Sequence, residues 1–190
     1  AADALNARDV VQLAKPVLAG LVRDLGLSAH FAVLDGREIV YLARQSPNAQ
    51  LVSNVREGTR LPAHATTIGR ILLAQLAPDA LAALYSDADL ASFTEKTATT
   101  LEALQAQLAS DRALGIARSV ANFELGIGSC ACVVFDHRGR PAGAINVSGP
   151  DAAFAPQNGR AADIEAGLRT AADAISASLG YRADRVRARA

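Results

Sequence analysis

The spacing of apolar residues changes period several times along the chain, and each change marks an element. Val10, Val11, Ala14, Val17, Leu18, Leu21, Val22 and Leu25 recur at helical intervals. Pro16 lies inside that run, so the helix is either kinked there or restarts with Pro16 in its first turn. Gly26 is a stop signal. His30 to Leu34 and Glu38 to Ala43 then read as strands, and Asp35-Gly36 between them is a hairpin signal. Gln50 to Val55 is a further strand candidate, with Glu57-Gly58 as a turn. A helix is predicted from about Thr66 to Leu76 on Ile68, Ile71, Leu72 and Leu76, and Pro78 opens a second through Leu84. Thr99 with Glu102 fits a capping box for a helix carrying Leu101, Leu104, Leu108 and Leu114, which stops near Gly115. Ile116 to Val120 reads as a strand, and Ser129 to Phe135 with Ala142 to Val147 as a hairpin. A last helix from about Gln157 to Leu179 buries Ile164, Leu168, Ala171, Ile175 and Leu179. Hairpins imply antiparallel pairing, and helices at both ends of the chain can cover one sheet face.

Composition narrows the reading. The 190 residues suit one domain, and 51% hydrophobic with only 4% aromatic content implies a core of Leu, Ile, Val and Ala. Nineteen basic residues balance nineteen acidic ones, without the basic excess of a nucleic-acid-binding domain. Arg182, Arg185, Arg187 and Arg189 form a basic tail, either solvated or in contact with a polyanion. With no secretory signal and no apolar run near ~20 residues, the chain reads as cytoplasmic with no membrane partner. Cys130 and Cys132 would share one face of a strand, a poor geometry for a disulfide, and read as reduced buried thiols. No metal-ligand cluster and no cofactor motif stands out. Gly126-Ile127-Gly128-Ser129 enters a strand rather than a helix, the wrong setting for a dinucleotide.

No nucleophile elbow, phosphate loop or paired carboxylate is visible. His30 and His137, in a strand and a turn, read as structural. Small polar residues at the edges of apolar elements remain. Thr66 and Thr67 stand at a helix start, where first-turn N–H groups lack helical partners and can bind a carboxylate; alternatively, Thr66 merely caps the helix. Ser129, Asn146 and Ser148 would meet on one sheet face if their strands pair, and polar groups on a covered face need partners such as a ligand or ordered water.

Leu61-Pro62-Ala63-His64-Ala65-Thr66-Thr67-Ile68-Gly69-Arg70-Ile71-Leu72-Leu73-Ala74 resembles the LPxHATxxGKxLLA signature of IclR-type bacterial transcription regulators. Phe93-Thr94 with Thr97, Thr99 and Thr100, then Leu114 to Ala117, Gly126 to Ala131, Phe135 to Gly139, Ile145 to Pro150 and Ile175 to Gly180 resemble further family segments in the family's order. The resemblance implies an α+β, GAF-like effector-binding domain, with a central antiparallel sheet of about six strands flanked by helices. It divides the chain into a linker or helical lead-in over 1–14, the effector-binding domain over 15–181 and the tail over 182–190. The family's winged helix-turn-helix domain has no counterpart here, so contact with DNA is expected only through that missing part. A homodimer or homotetramer is implied, as is a small-molecule effector held in a cup beside the sheet.

Carried over position by position, the cup maps to Leu61, Thr66, Thr67 and Ile68, to Ser119 and Asn122, and to Ile127, Ser129, Asn146 and Ser148. Asn122 replaces a usual Glu, Ser119 an occasional Asp and Asn146 a common Ser. Fewer carboxylates favour a bound anion, so a small carboxylic acid is the expected effector. Gln50 and Ser53 are candidates for the rim. Two other readings compete: an oligomerising module with a vestigial cup, and an enzyme using Cys130 or His64.

Overall fold

The computed structural model describes residues 7–47, 55–86 and 89–183. Helix α1 (Ala7–Leu25) is followed by strands β1 (Ser28–Asp35), β2 (Glu38–Gln45) and β3 (Arg60–Pro62). Helices α2 (Thr67–Leu73), α3 (Pro78–Tyr85) and α4 (Leu101–Leu114) come next. Strands β4 (Ala117–Val120), β5 (Ile127–Phe135) and β6 (Pro141–Pro150), then helix α5 (Arg160–Ser178), complete the order. The strands form a six-stranded sheet in the order β3-β2-β1-β6-β5-β4, antiparallel at every junction. The α+β architecture is the one expected.

The two faces of the sheet carry different cores. Ala29, Phe31, Ala43, Cys130, Cys132, Val134, Ile145 and Val147 pack with Leu18 and Leu21 of α1 and with Ile164, Leu168 and Ile175 of α5. Thus the helices from the two ends of the chain do share one face. Ser176 fastens α5 there: its hydroxyl donates to Ala172 O and accepts the Phe135 N–H at the end of β5. The opposite face packs Ile39, Tyr41, Ala131, Val133 and Ala144 beneath Ile68, Ile71 and Leu72 of α2 and Leu104 and Leu108 of α4.

Several local expectations are corrected. Pro16 does not restart the helix: α1 runs from Ala7 through Leu25 with Pro16 inside it, and Ala14 and Leu18 on either side are wholly buried. The third strand is Arg60–Pro62, paired with Glu38 to Val40. Three residues are too few to show a period of two, and the terminal Pro suits an edge strand. The alternative, Gln50 to Val55, falls largely outside the described residues, as do Gln50, Ser53, Arg185, Arg187 and Arg189. The α4 cap is Thr100, not Thr99: its hydroxyl accepts the Ala103 N–H. Leu114, expected on the buried side of α4, is 46% exposed because the helix ends there, with Gly115 left-handed at φ 68°.

Candidate functional site

Antiparallel register converts scattered polar residues into rows. Ser119 pairs with Ser129, Ser129 with Ser148, and Ser148 with Ser28, so four serines cross four strands on one face. The next row on that face runs Ala117, Ala131, Asn146, His30 and Arg44. Ser28 Oγ lies 3.3 Å from Ser46 Oγ, which extends the first row past the strand edge. The predicted Ser119, Ser129, Asn146 and Ser148 are therefore brought together. Ser28, His30 and Arg44 join them from β1 and β2, whose hairpin in sequence says nothing about which strand lies next to β6.

The start of α2 stands over these rows. Thr67 Oγ1 lies 2.7 Å from Ser129 Oγ. Asn146 Nδ2 donates to the same Ser129 oxygen at 3.3 Å, and Asn146 Oδ1 lies 2.9 Å from His30 Nδ1. Thr67, Ser129, Asn146 and His30 form one hydrogen-bonded chain across β5, β6 and β1. An amide oxygen can only accept, so His30 Nδ1 carries the proton and Nε2 presents a lone pair. His30 is 3% exposed, and its Nε2 has no hydrogen-bond partner among the described residues. Leaving a buried acceptor unmet costs about 1–3 kcal/mol.

The other predicted residues take different parts. Thr66 caps α2: its hydroxyl accepts the Gly69 N–H and donates to Pro62 O, the capping role expected of it as one alternative. The side chain of Ile68 is fully buried in the core. Leu61, in β3, is half-buried against the same core. Ser119 Oγ accepts the Asn122 N–H and closes the turn after β4. Asn122 sends its side-chain amide to Lys96 O. Its carbonyl is held by Thr94 and Thr97, which gives those threonines the task of pinning this turn. Ile127, the first residue of β5, is 39% exposed.

The electrostatics of the site are mildly positive. Arg44 is the cross-strand neighbour of His30 and donates to Val55 O. Burial holds the His30 imidazole down at about 4, against the pull of its Asn146 bond, and the Arg44 charge lowers it further. Tyr41 stands edge-on to the His30 ring at 5.2 Å, its phenol pushed up by burial. A base whose folded pKa lies below its unfolded value of 6.5 opposes folding once the unfolded chain can take the proton. Stability is therefore expected to fall as pH drops from about 6.5 to about 4, by roughly 3 kcal/mol for this residue. Urea unfolding of wild type and His30→Gln at pH 7 and pH 4.5 checks this. The wild type should lose more stability than the variant, and equal losses would refute the assignment.

The pairing of Cys130 with His64 that an enzyme would need is not formed. Cys130 and Cys132 face α1 and α5, whereas His64 lies across the sheet with Nε2 2.9 Å from Ala91 O. Burial pushes both thiols up, Cys132 to about 11, so both are protonated and unreactive near neutrality. Among the described residues no cluster of three or more His, Cys, Asp or Glu could hold a metal, and no helix is long and apolar enough to cross a membrane.

The family model for the bacterial transcriptional regulator IclR C-terminal region matches residues 2–177. The chain belongs to the IclR family. It is 34% identical over 175 residues to the transcriptional regulator XynR of Escherichia coli, covering 92% of this chain and 69% of XynR. It is 35% identical over 136 residues to the Pca regulon regulatory protein of Pseudomonas putida, and that match covers 71% of this chain but only 47% of the relative's length. Two solved structures to which the chain is similar carry small acids. One is the inducer-binding domain of a PobR double mutant from Acinetobacter with 3-hydroxybenzoic acid. It shares 27% identity at a TM-score of 0.78, with 87% of this chain and 97% of that one covered. The other is an IclR homologue from Microbacterium hydrocarbonoxydans with 4-hydroxybenzoate. It shares 26% identity at a TM-score of 0.80, with 94% and 71% covered.

Proposed function

We propose that this IclR C-terminal domain is the sensor of a cytoplasmic transcription regulator and binds a small organic acid between the start of α2 and the serine rows of the sheet. The observation that carries the reading is the hydrogen-bonded chain from Thr67 through Ser129 and Asn146 to His30 on a covered sheet face. Polar residues in that setting lower stability unless each finds a partner. The acids in two structural relatives support the ligand class.

The first intrahelical bond of α2 is Arg70 N–H to Thr66 O, so the N–H groups of Thr67 and Ile68 precede the helical ladder. They and the Thr67 hydroxyl are the donors for a carboxylate, with Arg44 adding a favourable field. Ser129, Asn146 and Ser148 orient the rest of the molecule. Leu61 and Ile127 supply apolar rim, and Ser119 and Asn122 shape the adjoining turn. Nothing in this arrangement performs a covalent step, and we assign the domain no catalysis. In the whole regulator the chain acts as a homodimer or homotetramer and reaches DNA through an N-terminal domain. The effector shifts operator affinity by binding one packing of the assembly better than the other.

Thermal unfolding in the presence of a panel of small carboxylic acids tests the proposal. An acid at about a hundredfold over its Kd should stabilise by about 2.7 kcal/mol and raise Tm by roughly 5–10 °C. Ser129→Ala and Asn146→Ala should each abolish most of that rise while leaving the unliganded chain cooperative. A panel that leaves Tm unmoved would refute the acid-sensing reading.

A further inference from the structure

We propose that His30 sets the chemical class of the effector, by accepting a hydrogen bond from a hydroxyl group of the ligand through Nε2. The inference rests on the acid-sensing reading and sharpens it from an organic acid to a hydroxy acid. Three observations support it. His30 lies in the same sheet row as Asn146 and next to the serine row, on the face covered by α2. It is 3% exposed, and its Nε2 meets no donor among the described residues. Its tautomer is set by a relay: Ser129 Oγ accepts from Asn146 Nδ2, which turns Asn146 Oδ1 toward Nδ1 of the ring. The proton is thereby held on Nδ1, and Nε2 is left as an acceptor.

The environment also rejects the alternatives. A carboxylate oxygen has no proton to offer Nε2, and protonating the ring to receive one is opposed by burial and by neighbouring Arg44. An ammonium group would meet the Arg44 charge. A neutral hydroxyl donates one hydrogen bond and brings no charge, so it satisfies the site at least cost. A keto oxygen, an acceptor only, would face the lone pair of Nε2 unfavourably. The carboxylate is thus directed to Thr67 and the α2 start, and the hydroxyl to the β1 side of the cup.

Calorimetric titration of the chain with matched acids tests the proposal: lactate against pyruvate and propionate, and 4-hydroxybenzoate against benzoate. In any series that binds, the hydroxylated acid should bind about tenfold tighter than its partners. His30→Asn keeps a polar atom near the Nδ1 position only and should erase the preference to within about twofold. His30→Gln keeps an acceptor near the Nε2 position and should retain it. The 15N resonance of His30 Nε2 in the wild type gives an independent readout: it should move from an unbonded to a hydrogen-bonded shift with the hydroxy acid and stay with its partner. Equal binding within each series, or a preference that survives His30→Asn, overturns the role of His30 and leaves acid sensing standing. Failure of all five acids to bind overturns both.

Discussion

Gly69→Ala should destabilise the domain by more than about 3 kcal/mol, the upper range for overpacking. That is opposite in sign to the usual effect, because alanine in place of a mid-helix glycine normally gains about 1 kcal/mol. A Cβ at Gly69 would stand 2.1 Å from Ala63 O and 2.3 Å from Ala63 Cα, and backbone cannot rotate aside as a side chain can. The 3-10 turn Ala63–Ala65 folds back directly over α2, and only a hydrogen at position 69 lets it do so. Displacing that turn would also move Thr66 and Thr67 off the sheet rows. Thermal melts of Gly69→Ala beside Gly159→Ala give the comparison, since a Cβ at Gly159 meets nothing within 4 Å. We expect a drop of roughly 6–12 °C for the first and almost none for the second. An unchanged Tm for Gly69→Ala would mean that the turn and helix are not in contact as described.

Asp111→Ala should cost about 3–5 kcal/mol, the range for removing one partner of a buried ion pair. Arg70 and Asp111 are 5% and 6% exposed at the side chain, and their Nη2–Oδ1 separation is 2.7 Å. Arg70 Nε also donates to Asp111 Oδ2, and Nη1 to Arg118 O, so a single guanidinium ties α2 to α4 and to β4. Burial pushes the Asp111 carboxyl up in spite of the arginine, so the pairing returns less than the carboxylate's desolvation takes. Removing the carboxylate strands a cation in the core. Replacing both partners together, as Arg70→Met with Asp111→Leu, should recover most of the loss. Urea unfolding of the two single variants and the double measures the coupling. Single losses below about 1 kcal/mol, or a double variant as weak as the sum of the singles, would contradict a buried pair that holds α2 in place.

Much of the fold was legible in local signals. Asp35-Gly36 and the alternation on either side of it mark the first hairpin, and β1 and β2 form there. The stripe from Ile164 to Leu179 marks α5, and each of its five residues is buried. The errors occur where local signals are weak or shared. Thr99 and Thr100 are adjacent and both able to cap, and only the angle at which the chain enters α4 selects Thr100. Pro16 is tolerated because the helix around it buries Ala14, Leu18 and Leu21, and that packing outweighs the lost hydrogen bond.

For the site, the sequence by itself determined the polar residue types, the helix start at Thr66 and Thr67, and the alternation that places Ser129 with Ala131 and Asn146 with Ser148. The family resemblance implied their assembly into a cup. Only the tertiary structure decided that β1 lies beside β6, in a register that brings His30 against Asn146 and Ser28 into the serine row. That pairing joins residues 116 positions apart. It is set by how the two cores fill the faces of the whole sheet, and no window of sequence contains that information. Read alone, His30 is one polar residue in an apolar strand; the register makes it a buried acceptor beside Asn146 and the serine row.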